Sequence, residues 1–211
     1  MANVPGTRRR QEVAVVTACA ALLLAGCSHS AGGETGVEQG FDAEVSQAIA
    51  EATDAGASAQ QLDILERAAT DGGVTFEDAK MAATSAMACM ESQGVTANYE
   101  EKALPNGVTI PAYTVQDHTS NGGDALPVMD GCEKSESYWV NMLYQMQPTS
   151  VEANLAFIEK QAPVIRKCLE DAGYDTDPKA TGMDLVIQSS DVARQTNGAT
   201  DCAFDAGVVG Y

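Results

Sequence analysis

The sequence predicts an α+β fold of about five helices and two small β elements, stapled by two disulfides and carrying the signs of an internal duplication. Three observations predict it. Apolar residues recur at helical spacing along most of the chain beyond residue 41. Two stretches, after Gly94 and after Gly173, lose that period and read as extended or irregular chain. Four cysteines, Cys89, Cys132, Cys168 and Cys202, lie 43, 36 and 34 residues apart, too far for the paired ligands of a zinc site.

The N-terminus comes first. Arg8, Arg9 and Arg10 make a positive start, and an apolar run follows from Val13 to Ala25, broken by Thr17. The run is shorter than the ~20 residues that span a hydrocarbon core, and it stops at polar Ser28, the layout of a signal peptide. Its last residues, Leu24-Ala25-Gly26-Cys27, resemble the lipobox of bacterial lipoprotein signal peptides. The resemblance covers the first 27 residues. It implies removal of residues 1–26 and acylation of the Cys27 thiol. The expected location is then the extracytoplasmic face of a cell membrane, held by lipid. Thr7-Arg8-Arg9 looks like part of a twin-arginine export signal. Gln11 and Glu12 stand where apolar residues should follow, which favours the general secretory route. Residues 27–40 comprise the acylated cysteine and a Gly- and Ser-rich tether, leaving 41–211 as the folded domain.

Asp42 to Thr53 places Val45, Ala48, Ile49 and Ala52 on one helical face. Ser58 reads as the N-cap of a second helix with Leu62, Leu65 and Ala69, closed by Asp71-Gly72-Gly73. Thr75, three residues before Asp78, opens a third with a loose capping box. Phe76, Ala79, Ala83, Met87 and Met90 line it, Cys89 lies in its last turn, and Gly94 ends it. Asn106-Gly107 predicts a hairpin turn before the β-rich run Val108–Val115, where Pro111 points to an edge strand. Leu126–Met129 is expected to return as a strand. A helix then carries Trp139, Leu143 and Met146 up to Pro148. Thr149 and Glu152 suggest a capping box for the next helix, which Pro163 should break, leaving a short helix with Cys168 that ends at Gly173. Asp175–Gly182 reads as a loop and Met183–Gln188 as a strand; Ser190–Gln195 fits no single state.

Cysteines left in an exported domain in even number read as disulfides, and four allow three connectivities. Cys89-Met-Glu-Ser-Gln-Gly94-Val95 is similar to Cys168-Leu-Glu-Asp-Ala-Gly173-Tyr174. If the likeness reflects duplication, with repeat halves 58–132 and 149–202, it pairs Cys89 with Cys132 and Cys168 with Cys202. Convergence is the alternative, since glycine commonly follows a helix.

The chain carries 30 acidic and 12 basic residues, a formal charge of −18. Loss of Arg8, Arg9, Arg10 and Glu12 with the signal peptide moves it to −20. Such a surface repels nucleic acid and anionic headgroups and leaves basic peptides and divalent ions as candidate partners. His118 is the one histidine of the folded region, and Asp117 beside it could orient it as a base. An exposed loop histidine is the plainer reading. Neither a Gly-x-Ser-x-Gly elbow nor a His-Glu-x-x-His helix is present, and oxidised cysteines offer no thiol nucleophile. Asp175, Asp177 and Asp184 hint at calcium, but Lys179 and Ala180 occupy positions where an EF-hand loop needs a ligand and glycine. Tyr138, Trp139 and Tyr144 form an aromatic cluster whose spacing fits core better than a stacking platform.

No catalytic, cofactor or metal residues are assigned. The exported, disulfide-bonded, acidic domain is expected to be a noncatalytic binding or interaction module at the cell envelope. Its partner would be an envelope protein, peptide or glycan rather than nucleic acid. The alternative is a cell-wall or glycan hydrolase working through a carboxylate pair. The alanine-rich composition and cysteine-bearing helix ends resemble exported lipoproteins of actinobacteria, a likeness that implies no activity.

Overall fold

The computed structural model describes residues 35–116 and 118–208. The signal-peptide reading, Cys27 and Asp117 lie outside those residues. The described chain is mainly helical, with eight helices and one two-stranded sheet. It is α+β as expected, with more helix than the sequence predicts. No described helix is long and apolar enough to cross a membrane.

α1 (Thr35–Asp54) begins inside the stretch read as tether. Phe41, Val45, Ala48 and Ala52 fall at helical spacing and are buried. They pack with Ile64, Leu65 and Ala68 of α2 (Ala59–Asp71), and with Trp139, Val140 and Leu143 further along, in the largest core cluster. Ser58 caps α2 as expected, its hydroxyl accepting from the Gln61 N–H at 3.2 Å. Gly72, in the left-handed region at φ 75°, closes it.

α3 (Phe76–Ser92) starts where Thr75 predicts, with the Thr75 hydroxyl accepting from the Asp78 N–H. Arg67 donates to Asp78 at 2.6 Å. Burial pushes the Asp78 carboxyl up, but the Thr75 hydroxyl and the Arg67 guanidinium outweigh it and hold the group below the usual range. The end of α3 is a Schellman closure. Gly94 is left-handed, and the Val95 N–H donates to the Met90 carbonyl at 3.0 Å.

β1 (Ala97–Ala103) and β2 (Thr109–Val115) form the expected hairpin, antiparallel, with Tyr99 opposite Tyr113 and Glu101 opposite Pro111. Asn106 accepts from the Val108 N–H at 3.0 Å inside the turn. A lone hairpin is marginal in water. This one packs on α3 and shares a core cluster with Met90, Val95 and Cys132.

The chain beyond the hairpin corrects four expectations. Leu126–Met129 is not a strand but the start of α4 (Leu126–Glu136), with Pro127 in the first turn. Asp124 nucleates it by accepting from the Leu126 N–H at 3.0 Å. α5 (Tyr138–Met146) follows after Ser137. Thr149 does not cap the next helix. α6 (Pro148–Asp171) starts at Pro148, where a missing N–H costs nothing. Pro163 does not break α6, which runs 24 residues through it. An internal proline costs about 3 kcal/mol. Pro163 sits on the exposed side, and Ile158, Ile165 and Leu169, before and after it, are all fully buried in one core cluster, which offsets that cost.

Met183–Gln188 is also helical. α7 (Gly182–Gln195) takes in both that run and the ambiguous segment after it. A full capping box starts it: the Thr181 hydroxyl accepts from Asp184 N–H, and Asp184 accepts from Thr181 N–H at 2.9 Å. Leu185, Val186 and Val192 pack on α6. α8 (Cys202–Asp205) completes that cluster with Ala203.

The disulfides are Cys89–Cys132 and Cys168–Cys202. This is the pairing that duplication predicts, and the helix ends match as well. Tyr174 N–H donates to Leu169 carbonyl at 2.9 Å, the same closure as at Val95. The same closure occurs in Cys202-Ala-Phe-Asp-Ala-Gly207-Val208, where Val208 N–H donates to Ala203 carbonyl. The segments between the paired cysteines differ, however: a hairpin and α4 in one, α7 in the other.

Candidate functional site

Between β2 and α4, the latter tied to α3 by the Cys89–Cys132 disulfide, lies an open cleft of about 520 Å³. That lies within the roughly 300–1,000 Å³ of small-ligand sites. Its walls follow from local structure. Strand alternation aims Tyr113 and Val115 to one side of β2. Leu126, Met129 and Glu133 recur at three- and four-residue steps on one face of α4. The loop joining the two elements contributes His118 and Asp124, which pair through an isolated antiparallel bridge.

One strong polar contact orders the interior. The Tyr113 hydroxyl donates to Glu133 at 2.6 Å. Burial pushes the Tyr113 phenol well above its usual range, and the neighbouring Glu133 carboxylate pushes it further. The Asp124 carboxylate is held by the Leu126 N–H at the start of α4. The cleft therefore combines an apolar floor (Val115, Ala125, Leu126 and Met129) with a rim of imidazole, amide and two carboxylates. Leu126 is 59% exposed there, the most exposed of the large apolar residues on this face.

His118 is exposed, as the plainer reading of it expects. Cys132 is buried and disulfide-bonded beside the cleft. The aspartates that hinted at calcium have local duties: Asp177 accepts from Lys179 N–H and Asp184 caps α7. Among the described residues no group of three or more His, Cys, Asp or Glu side chains could hold a metal ion. The aromatic cluster divides. Trp139 and Tyr144 are buried, and Tyr138 is 53% exposed, edge-on to Trp139.

Sequence reasoning missed the Tyr113–Glu133 pair, because the partners lie 20 residues apart, on a strand and on a helix, with no local pattern that joins them. It also missed Gln61, a fully buried amide in α2. Gln61 donates to the Lys134 and Ser135 carbonyls at the end of α4 and accepts from the Trp139 N–H at the start of α5. One side chain thus caps two helix ends. No local signal marks it.

A second concavity, about 600 Å³, runs along the seam where the hairpin turn, α5 and α6 meet. No family model matches the chain, and no curated protein or solved structure matches it.

Proposed function

We propose that this chain is an extracytoplasmic lipoprotein, anchored through Cys27, whose domain is a noncatalytic binding module at the cell envelope. The cleft between β2 and α4 carries the reading. It offers an apolar floor and a polar rim, and its two carboxylates are engaged by Tyr113 and by the Leu126 N–H. With a formal charge of −20 after loss of Arg8, Arg9, Arg10 and Glu12 from the −18 of the full chain, the ligand it favours is a neutral or basic segment of an envelope peptide or glycan. The second reading, a glycan hydrolase, draws on one observation: Asp124 and Glu133 line the same cleft.

Photo-cross-linking on intact cells separates the two. A benzophenone side chain placed at Leu126 is expected to capture a discrete envelope component, and Glu133→Gln with His118→Ala is expected to lose it. Cutting of wall polymer by the wild type, abolished by Asp124→Asn or Glu133→Gln, would establish the hydrolase instead. Palmitate labelling of the wild type but not of Cys27→Ala is the expected result for the anchor.

A further inference from the structure

The seam groove carries no charge. Charged residues make up 20% of the chain, yet none of the twelve residues lining the groove is charged. Eight of the twelve are aliphatic or thioether, among them Leu104 and Val108 beside the hairpin turn, Met142 and Met146 on α5, and Val151 and Leu155 on α6. Met146, Val151 and Leu155 are 45%, 39% and 44% exposed, so apolar surface lies open along one side. Methionine is unbranched and polarisable and adapts to chains of varied shape. The partly exposed Asn154 side chain lines the groove and makes no side-chain hydrogen bond within the described residues.

We propose that this groove binds the single aliphatic chain of an uncharged amphiphile, with Asn154 meeting its hydroxyl or amide head. Three features select that occupant. Each methylene buried against the walls contributes about 0.8 kcal/mol. The volume of about 600 Å³ accommodates a single aliphatic chain. A carboxylate or phosphate head finds no cation in the lining and meets the negative field of a chain at −18. The site is separate from the cleft between β2 and α4, so each can fail without the other.

The test uses the full chain carrying Cys27→Ala, with both disulfides formed, and the uncharged fluorophore N-phenyl-1-naphthylamine. Dodecanol and dodecanoate, equal in chain length, serve as competitors. Val151→Glu and Leu155→Glu change exposed positions and should leave the fold intact. Each is expected to weaken fluorophore binding at least about tenfold. Val164→Glu, at a position of α6 that is 51% exposed and outside the groove, should bind as the parent does. Dodecanol should displace the fluorophore at a concentration at least about tenfold lower than dodecanoate. Asn154→Leu should narrow that preference. Equal binding by the Val151→Glu, Leu155→Glu and Val164→Glu variants would overturn the proposal, as would equal competition by alcohol and carboxylate. So would a benzophenone at position 155 that cross-links to residues 1–34, because the chain's own N-terminal segment would then fill the groove.

Discussion

Gln61 shows how much one side chain can hold. Its amide satisfies two carbonyls at the end of α4 and one N–H at the start of α5, all across 73 or more residues of sequence. A buried polar group that loses its partner costs about 1–3 kcal/mol. Gln61→Leu keeps the volume and orphans these groups, so it should lower unfolding stability by about 2–4 kcal/mol in chemical denaturation. Ser58→Ala, which removes a cap at a solvated helix end, should cost about 1 kcal/mol. Tyr113 gives a pH signature. Its phenol is raised above the ordinary value of 10.0, so the folded state favours the protonated form. That contribution is complete below pH 10 and is lost as pH climbs through the folded-state value. Stability should therefore fall above about pH 10, with a shallower fall in Tyr113→Phe, followed by denaturation at fixed pH steps.

At the scale of elements, α6 and α7 depend on close backbone approach. A Cβ built on Gly182 would stand 2.8 Å from the Ile158 carbonyl oxygen and 3.0 Å from the Glu159 Cα. The Gly182 N–H also donates to Glu159 at 2.8 Å. Gly182→Ala should force the two helices apart and cost about 1–3 kcal/mol, read as a lower denaturant midpoint with an unchanged slope. Gly131→Ala in α4, where a Cβ meets nothing within 4 Å, is the matched control and should be neutral or slightly stabilising. The capping signals at Ser58 and Thr75 and the Asn106-Gly107 turn were legible because each acts within three or four residues. Leu126–Met129 and Met183–Gln188 were misread as strands because a short apolar run carries no period that separates a buried strand from a helix turn. The deciding contacts come from elsewhere: Cys89 across from α4, and the backbone of α6 beneath α7.

Over the whole molecule, acidic charge dominates. Five ion pairs occur among the described residues, and most of their members are substantially exposed. Such pairs contribute little each, whereas self-repulsion acts at every pH where the carboxylates are ionised. Salt should therefore stabilise the fold. Raising ionic strength from about 0.01 M to about 0.15 M shortens the screening length from about 30 Å to about 8 Å. The thermal midpoint should rise by a few degrees over that range; a fall would mean that the ion pairs outweigh the repulsion. The same charge explains why the uncharged seam groove stands out, and neither it nor the cleft of Tyr113, His118 and Glu133 was legible in the sequence. The groove is assembled from segments tens of residues apart, and the cleft from β2, its loop and the start of α4, where Leu126–Met129 reads as a strand.

The amino-acid order by itself determined where α2 and α3 start, where helices close on Gly72, Gly94 and Gly173, and where the hairpin turns, because caps and turns are settled by hydrogen bonds between near neighbours. It also marked which helix ends carry cysteine. The three-dimensional arrangement alone decided that α4 and α7 are helices, that α6 continues through Pro163, and that Gln61 joins α2 to the junction of α4 and α5. Those outcomes depend on burial against partners distant in the chain, and burial is a property of packed surfaces that no short window of residues contains.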